Sequence, residues 1–240
     1  MNYIEIGQMP ELDYASNEAM NSLATNLSYC GEEVRVIGVT SRFASEGKSY
    51  ISMNLLRTIS SLQKRVLLID MDLRRSSIAA RYHLRFQQET PMGVAHYLAG
   101  MCGLEDVIYA TNFQRAFFVP VGRELNSSLQ LLNSPRMQEL MDFARANFDL
   151  VLVDTPPAGV IADALEVARY CDGELIVVSY NRGSRSEITE ISRNIEHTGC
   201  RVLGVVLNQV ELKSYTNRKY YYKSERYYSY YHKQYKKEQV

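Results

Sequence analysis

The sequence predicts an α/β fold in which a doubly wound, mostly parallel sheet lies between helices. The first observation is that short apolar runs alternate with longer helical patterns from about residue 34 to residue 212. The second is that most of these runs are apolar at every position, as expected for strands buried on both faces of a parallel sheet. Strands that alternate with helices through right-handed crossovers then give three layers, with the sheet in the middle.

Each element follows from its own pattern. The predicted strands are residues 34–40, 65–72, 116–121, 149–154, 173–180 and 201–208. The predicted helices are residues 48–63, 94–100, 134–147, 162–171 and 185–198. In the third of these helices apolar residues recur at steps of three and four, with Ser134 expected as the N-cap and Pro135 as the first helical residue.

The two ends of the chain differ from this central part. Residues 1–33 are predicted to precede the first strand and to hold one helix, in SNEAMNSLATNL, which is a candidate for self-association. Residues 213–240 hold nine of the 18 tyrosines and eight Lys or Arg residues, with almost no aliphatic residue. Such a segment buries too little apolar surface to offset its ordering entropy, so we expect a mobile tail. The central domain is then residues 34–212.

Composition excludes several classes of protein. The 27 Lys and Arg residues balance 27 Asp and Glu residues, so the overall charge does not indicate a nucleic-acid partner. The four cysteines stand far apart without a CxxC pair, which argues against metal or disulfide frameworks and fits a reducing cytosol. The N-terminus has no secretory signal, and no apolar run approaches the roughly 20 residues of a membrane helix. We therefore expect a cytoplasmic protein that reaches a membrane only through a partner.

The stretch SRFASEGKSY, residues 41–50, ends like a nucleotide-binding P-loop. The pattern GxxxxGK[ST] requires a glycine where Arg42 stands, so these letters alone are weak. Their position is stronger, because they join a buried strand to an amphipathic helix, where backbone N–H groups converge on phosphate. Gly47 would let the backbone approach the phosphates, Lys48 would reach the β and γ oxygens, and Ser49 would ligate Mg²⁺. The predicted ATP-binding loop is Ala44, Ser45, Glu46, Gly47, Lys48, Ser49 and Tyr50.

Three carboxylates follow buried strands at the same predicted edge of the sheet. RVLLIDMDLRR ends a strand in Asp70 and Asp72, and DLVLVDTPP ends another in Asp154. All strand C-termini of a parallel sheet lie along one edge, so these side chains should meet the P-loop. Hard oxygen ligands suit Mg²⁺. Any one of these aspartates, taken alone, could equally be the cap of the following helix.

The three motifs together resemble those of the bacterial tyrosine kinases. SEGKS, LLIDMDLR and LVLVDTPP are similar to the Walker A, Walker A′ and Walker B motifs of that family, and the A′ pattern is the most specific of them. The likeness covers roughly residues 15–210 and extends to the tyrosine-rich tail. It is closest to the Gram-positive arrangement, in which a cytoplasmic kinase is separate from its membrane-spanning activator and serves capsule or exopolysaccharide synthesis.

The resemblance implies a role for each matching residue. Lys48, Asp70 and Asp72 would be catalytic, with Asp70 accepting the proton of the attacking tyrosine. Ser49, Asp72 and Asp154 would hold Mg²⁺, and Asn208 would contact the adenine of ATP. The phosphate acceptors, reached between neighbouring subunits, would be Tyr215, Tyr220, Tyr221, Tyr222, Tyr227, Tyr228, Tyr230, Tyr231 and Tyr235. The implied partner is a membrane-spanning activator of the polysaccharide co-polymerase type, which would recruit the kinase to the inner face of the cell membrane.

This chain departs from the family pattern at three places, one of which is the loop after Gly122, ELNSSLQLL, which lacks the family's proline-rich run. The family loop has Pro-Gly where Ala44 and Ser45 stand. In the N-terminal helix, the family segment Glu-x-x-Arg-x-x-Arg joins subunits into a ring, but here Asn21 and Ala24 follow Glu18. Because neither replacement can make a bidentate contact with a carboxylate, we expect weakened ring assembly.

Two other classes compete with a kinase. Partitioning and cell-division ATPases share the layout but carry an additional loop lysine, and Phe43 occupies that position here. A nucleotide-binding module with an adhesive tail is the other alternative, since interleaved Lys, Arg and Tyr could also attract RNA or anionic lipid. Arg74 and Arg75 could touch phosphate or brace the loop after their strand, and the sequence does not decide between these roles.

Overall fold

The computed structural model describes residues 2–125, 127–180 and 182–210. Within them the strands are β1 (Asn2–Ile6), β2 (Val36–Ser41), β3 (Val66–Asp70), β4 (Leu84–Phe86), β5 (Tyr109–Thr111), β6 (Ala116–Val119), β7 (Leu150–Asp154), β8 (Gly173–Ser179) and β9 (Arg201–Asn208). The helices are α1 (Tyr14–Ser28), α2 (Lys48–Ser61), α3 (Ile78–Arg81), α4 (Val94–Leu98), α5 (Leu129–Leu132), α6 (Pro135–Asn147), α7 (Asp163–Ala168) and α8 (Arg185–Glu196).

The strands form one sheet in the order β4-β1-β5-β6-β3-β7-β2-β8-β9. The pairings from β6 through β9 are all parallel, whereas β4 on β1 and β5 on β6 are antiparallel. Strands β2, β3 and β8 are buried at every residue, because helices cover both faces. The predicted mostly parallel, doubly wound α/β fold is confirmed.

The N-terminal segment differs from the expectation. Residues Asn2–Ile6 form a strand that pairs with β5 and β4, so the prediction that residues 1–33 precede the first strand is wrong. Ile4 and Ile6 are buried and point to one face of the sheet, while the residue between them is partly exposed. A five-residue run at the end of a chain is too short for this alternation to stand out.

Two apolar clusters fill the spaces on the two sides of the sheet. Helix α6 contributes Met137, Leu140 and Met141 to the first of them, as its spacing predicts. Ser134 holds the N-cap position with Pro135 after it, but the Ser134 hydroxyl donates to the Leu131 carbonyl and caps nothing. All four cysteines are free thiols. In the described part of the chain no helix has the length and apolar character needed to span a bilayer.

Candidate nucleotide and phosphoryl-transfer site

The P-loop lies between the end of β2 and the start of α2, where the sequence places it. Gly47 is the N-cap of α2 and has a left-handed backbone, with φ +98°. A Cβ at this position would lie 2.0 Å from Asn208 Nδ2, so the loop needs glycine for both its conformation and its space. Ser45 is also left-handed, with φ +67°, and occupies the position where the resembling family has glycine.

Glu46 braces the loop from inside the protein. Its side chain is fully buried and accepts hydrogen bonds from the Phe43 N–H at 2.8 Å and the Ser179 N–H at 3.3 Å. Its backbone carbonyl accepts a hydrogen bond from Asn208 Nδ2 at 2.9 Å. The neighbouring Gln209 side chain donates to the Ser45 carbonyl at 3.0 Å. The ends of β8 and β9 therefore fix the shape of the loop, and the Glu46 side chain serves this purpose.

Arg42 takes the position of the missing P-loop glycine. Its guanidinium lies 4.3 Å from the centre of the Phe43 ring and pairs with Glu187 at the start of α8. Glu187 also accepts the Ser184 N–H at 2.7 Å, as part of a capping box. Arg42 thus connects the end of β2 to α8 through a side chain that glycine lacks.

Asp154 faces the first turn of α2 from the end of β7. Its two carboxylate oxygens accept hydrogen bonds from the Ser49 hydroxyl at 2.6 Å and the Ser52 hydroxyl at 3.0 Å. Burial raises the pKa of Asp154 to about 6, although Lys48 and the two serines favour its charged form and oppose the rise. The sequence analysis did not predict a role for Ser52. Its position three residues after Ser49 places both hydroxyls on the same face of α2, and this spacing could have indicated its role.

Asp70 lies beside Asp154, because the two residues are directly paired between β3 and β7. Asp70 is buried, and burial together with the charge of Asp154 raises its pKa well above the usual value. The Asp72 N–H donates to one Asp70 oxygen at 3.2 Å, and the Ser76 hydroxyl donates to the other. Ser76 is a second residue that sequence reasoning missed, since only the turn after β3 brings its hydroxyl back to the strand end.

Asp72 lies in the same turn and is mostly buried. Its carboxylate accepts the Arg75 N–H at 3.1 Å, and its charge adds to the rise in the pKa of Asp154. Lys48 is also buried and acts electrostatically on Asp154. The structure therefore gathers Lys48, Ser49, Asp70, Asp72 and Asp154 at the carboxyl edge of β2, β7 and β3.

Arg74 braces the turn that carries Asp72. Its guanidinium donates to both oxygens of Asp163, at 2.8 and 3.1 Å, and the buried Ser128 hydroxyl donates to the same carboxylate. Burial alone would raise the pKa of Asp163, but the hydrogen bonds from Arg74 and Ser128 outweigh it and lower the pKa. Of the two roles left open for Arg74, the structure shows this bracing contact. The side chain of Arg75 is exposed.

The donor set fits a magnesium ion that keeps several waters. In residues 2–125, 127–180 and 182–210, no group of three or more His, Cys, Asp or Glu side chains is arranged to hold a metal by itself. Mg²⁺ typically takes one or two carboxylates together with phosphate oxygens and waters. The hydroxyl of Ser49 and the carboxylate of Asp154 already adjoin at 2.6 Å, which is the pairing that such an ion needs.

Within the described residues, two cavities open on this edge. The larger, about 910 Å³, lies between α1, β9 and the P-loop and includes Gly47, Tyr50 and Asn208 in its lining. The smaller, about 210 Å³, has Asp70 and Ser76 in its wall. Ala44 is exposed on the outside of the loop. The tail tyrosines named above lie outside the described residues.

Comparison with known proteins agrees with this geometry. Residues 34–205 match the family model described as an AAA domain. The chain is 31% identical over 195 residues to the tyrosine-protein kinase CpsD of Streptococcus agalactiae serotype III, covering 81% of this chain and 83% of that protein. It is 30% identical over 213 residues to CpsD of Streptococcus pneumoniae serotype 4, covering 88% and 92%. The kinase domain of the Escherichia coli tyrosine kinase ETK superposes with a TM-score of 0.75 and 28% identity, covering 83% of this chain and 77% of that one.

Fold and site together define a P-loop nucleotide-binding domain. The chain belongs to the bacterial tyrosine kinase family of capsule and exopolysaccharide biosynthesis. It is accordingly a protein-tyrosine kinase, and the resemblance drawn from its three motifs is confirmed. The partitioning ATPases, which the sequence left as a competitor, would need a loop lysine where Phe43 packs under Arg42.

Proposed function

We propose that this protein is an ATP- and Mg²⁺-dependent tyrosine kinase that phosphorylates its own C-terminal tyrosine cluster. The observation that carries the proposal is the contact of Ser49 and Asp154 at 2.6 Å beside the buried Asp70. One carboxylate adjoins the P-loop hydroxyl, and the other lies one strand further from the P-loop. This arrangement supports the proposal of a nucleotide side at Asp154 and an acceptor side at Asp70.

Different residues of the site contribute to different parts of the proposed phosphoryl transfer. The backbone N–H groups of the P-loop and Lys48 neutralise the charge of the phosphates, and phosphoryl transfer depends mostly on such positioning and charge. The tyrosine oxygen forms a bond to the γ-phosphorus, the bond from that phosphorus to the leaving oxygen of ADP breaks, and the phenolic proton passes to Asp70. A raised pKa makes Asp70 a better match for a phenol than an ordinary carboxylate.

Ser49, Asp154 and Asp72 are the residues proposed to hold Mg²⁺. A bound ion would supply positive charge that offsets the negative charge of the phosphates during transfer. Ser52 keeps the Asp154 carboxylate turned toward Ser49, and Asn208 keeps the loop closed against β9. We also propose that Asn208 contacts the adenine, because its side chain lines the larger cavity beside the P-loop. Ala44, Ser45, Tyr50 and the backbone of Glu46 complete the proposed ATP contacts.

The proposed acceptors are the nine tail tyrosines, reached from a neighbouring subunit. The tail holds eight Lys or Arg and two Glu residues, and each phosphate adds about −1.5 to −2 charges, so about three to four phosphates cancel its positive charge and further ones reverse its sign. Such a reversal suits a switch in self-association. The proposed domain division keeps residues 34–212 as the kinase domain and 213–240 as the acceptor tail.

The remaining proposals concern the cellular setting. We propose a cytoplasmic kinase that a membrane-spanning activator recruits to the membrane, as part of a system for making and exporting extracellular polysaccharide. Glu18 and Asn21 interact within α1 at 3.4 Å, and the side chain of Ala24 is buried. Neither Asn21 nor Ala24 can replace an arginine contact between subunits, so any ring must depend on other surfaces.

Phosphotyrosine mapping tests this function. The full-length protein is incubated with ATP and Mg²⁺, with and without the cytoplasmic segment of an activator, and its phosphotyrosines are located by mass spectrometry. Lys48→Met should abolish the signal, whereas Lys64→Met, at an exposed residue after α2, should leave it unchanged. If the tail remains unphosphorylated with the activator present, the proposal is wrong.

A further inference from the structure

The smaller cavity lies on the side of Asp70 that faces away from the P-loop. Along the sheet the order is β2, β7, β3, β6, which places the P-loop strand, Asp154, Asp70 and the cavity in sequence. Neighbouring strands are about 4.8 Å apart. A group in this cavity would therefore approach Asp70 from the side opposite to the nucleotide, one strand beyond it.

The cavity has a mixed lining of apolar and polar side chains, which includes the charged Arg123 and Glu124. Phe86, Phe118 and Pro91 supply an apolar wall, while Asp70 and Ser76 supply two oxygen-bearing side chains. The Phe86 ring is held in place by an edge-on contact with the Tyr109 ring, with 5.4 Å between their centres. The pocket is therefore built before any ligand arrives, which lowers the entropy cost of binding.

The size of the cavity points to a single ring. Its volume is about 210 Å³, below the roughly 300–1,000 Å³ of clefts that take drug-sized ligands. A nucleotide is too large, whereas one aromatic side chain suits such a space. Aromatic rings gain about 0.5–1.5 kcal/mol from favourable contact with other rings beyond the area that they bury.

We propose that this cavity is the subsite for the acceptor tyrosine, with its ring between Phe86 and Phe118 and its hydroxyl at Asp70 and Ser76. The inference rests on the proposed transfer to tyrosine and names the residues that hold the acceptor. Ser76 is a positioning residue: its hydroxyl donates to Asp70 and fixes the orientation of the carboxylate that faces the acceptor hydroxyl. Ala79, in α3, lines the cavity and is exposed, so a larger side chain there would fill the cavity without disturbing the core.

Binding of an acceptor peptide tests the subsite without requiring catalysis. The probe is a fluorescent peptide with the sequence of residues 213–231, and the protein is the full-length chain with its nine tail tyrosines replaced by serine, so that no internal ring competes. Affinity is measured with a non-hydrolysable ATP analogue and Mg²⁺. Ala79→Leu should weaken peptide binding about tenfold or more. The matched control is Ala80→Leu, the next exposed residue of α3, which does not line the cavity.

A second pair of variants tests Ser76 by its kinetics. Ser76→Ala should lower kcat for the peptide and leave the affinity for the ATP analogue unchanged, and Ser76→Thr, which keeps a hydroxyl, should restore part of the rate. Ser77→Ala is the control, because the Ser77 side chain makes no capping hydrogen bond on α3.

The outcomes separate the two proposals. Equal peptide affinity for Ala79→Leu and Ala80→Leu, or no peptide binding by the parent protein, would overturn the subsite. If the peptide binds with the expected pattern but never receives phosphate, the subsite stands and the proposed autophosphorylation fails.

Discussion

Glu174 offers a prediction whose size follows from the structure. Its side chain is buried in the sheet, and within the described residues its carboxyl oxygens have no N–H or O–H donor, although the Cys171 thiol acts weakly against the rise in its pKa. It lies across Gly38 of β2, where a Cβ would stand 1.9 Å from the Glu174 carboxyl, so this glycine makes room for it. Burial raises the pKa of Glu174 from 4.5 to about 8. The folded protein therefore keeps this carboxyl neutral under conditions in which the unfolded chain has released the proton.

The perturbation is Glu174→Gln, which replaces an ionisable group by a neutral one of similar shape. Above pH 4.5 the unfolded wild-type chain loses a proton that the folded state retains, so the free energy of unfolding falls as the pH rises toward 8 and is level beyond it. Each pH unit in this range is worth about 1.36 kcal/mol, which gives about 5 kcal/mol over the whole interval. Glutamine removes this dependence.

Urea unfolding at pH 5, 6.5 and 8 measures the effect. Glu174→Gln should be similar to the wild type at pH 5 and more stable by several kcal/mol at pH 8. Glu190→Gln, on the exposed side of α8, is the control and should change neither value. If the difference between Glu174→Gln and the wild type is the same at every pH, Glu174 is charged in the folded protein and the reasoning about its burial is wrong.

Three further predictions concern the site. Gly47→Ala should abolish ATP binding in a calorimetric titration. The reason is that a Cβ would collide with Asn208, and a left-handed backbone costs about 1–2 kcal/mol in a residue with a side chain. Unchanged affinity would show that the P-loop can rearrange to accept the alanine side chain. Ser52→Ala should raise the Mg²⁺ concentration needed for half-maximal phosphorylation, since Asp154 loses one of its two hydroxyl donors, while Ser61→Ala should have no such effect. Arg74→Lys should lower the free energy of unfolding by about 1–3 kcal/mol, because a lysine cannot reach both oxygens of the buried Asp163 partner; a stability equal to wild type would remove the bracing role.

The elements that sequence could predict are those with long, regular patterns. The central strands are apolar at nearly every position, and α6 repeats its apolar residues through about three turns, so both were predicted with ends correct to within about two residues. Strands β4 and β5 have three residues each, and α3 and α5 have four, which is too short for a period to be recognised. They form because neighbouring strands and helices already provide their partners.

In the candidate site, too, some residues could be predicted from the sequence and others could not. Lys48, Ser49 and Asp154 could be assigned because parallel strands bring their carboxyl ends to one edge. Glu46 belongs to the predicted ATP-binding loop, and its side chain turns inward to accept hydrogen bonds from two backbone N–H groups, which leaves its backbone for a contact with the nucleotide. Only the packing of β8 and β9 against the loop determines this direction. The contact of Ser76 with Asp70 likewise depends on the turn geometry after β3, which the letters of the motif do not specify.

The central claim is tested most directly by mixing two full-length variants, neither of which can phosphorylate its own tail. One protein carries Lys48→Met with an intact tail, and the other carries an intact site with all nine tail tyrosines replaced by phenylalanine. Neither should phosphorylate its own tail. With ATP and Mg²⁺ and the activator segment, the account predicts phosphotyrosine on the tail of the Lys48→Met protein. No tail phosphate in the mixture, under conditions in which the wild type is labelled, would show that the site formed by Lys48, Asp70 and Asp154 does not act on a neighbouring tail.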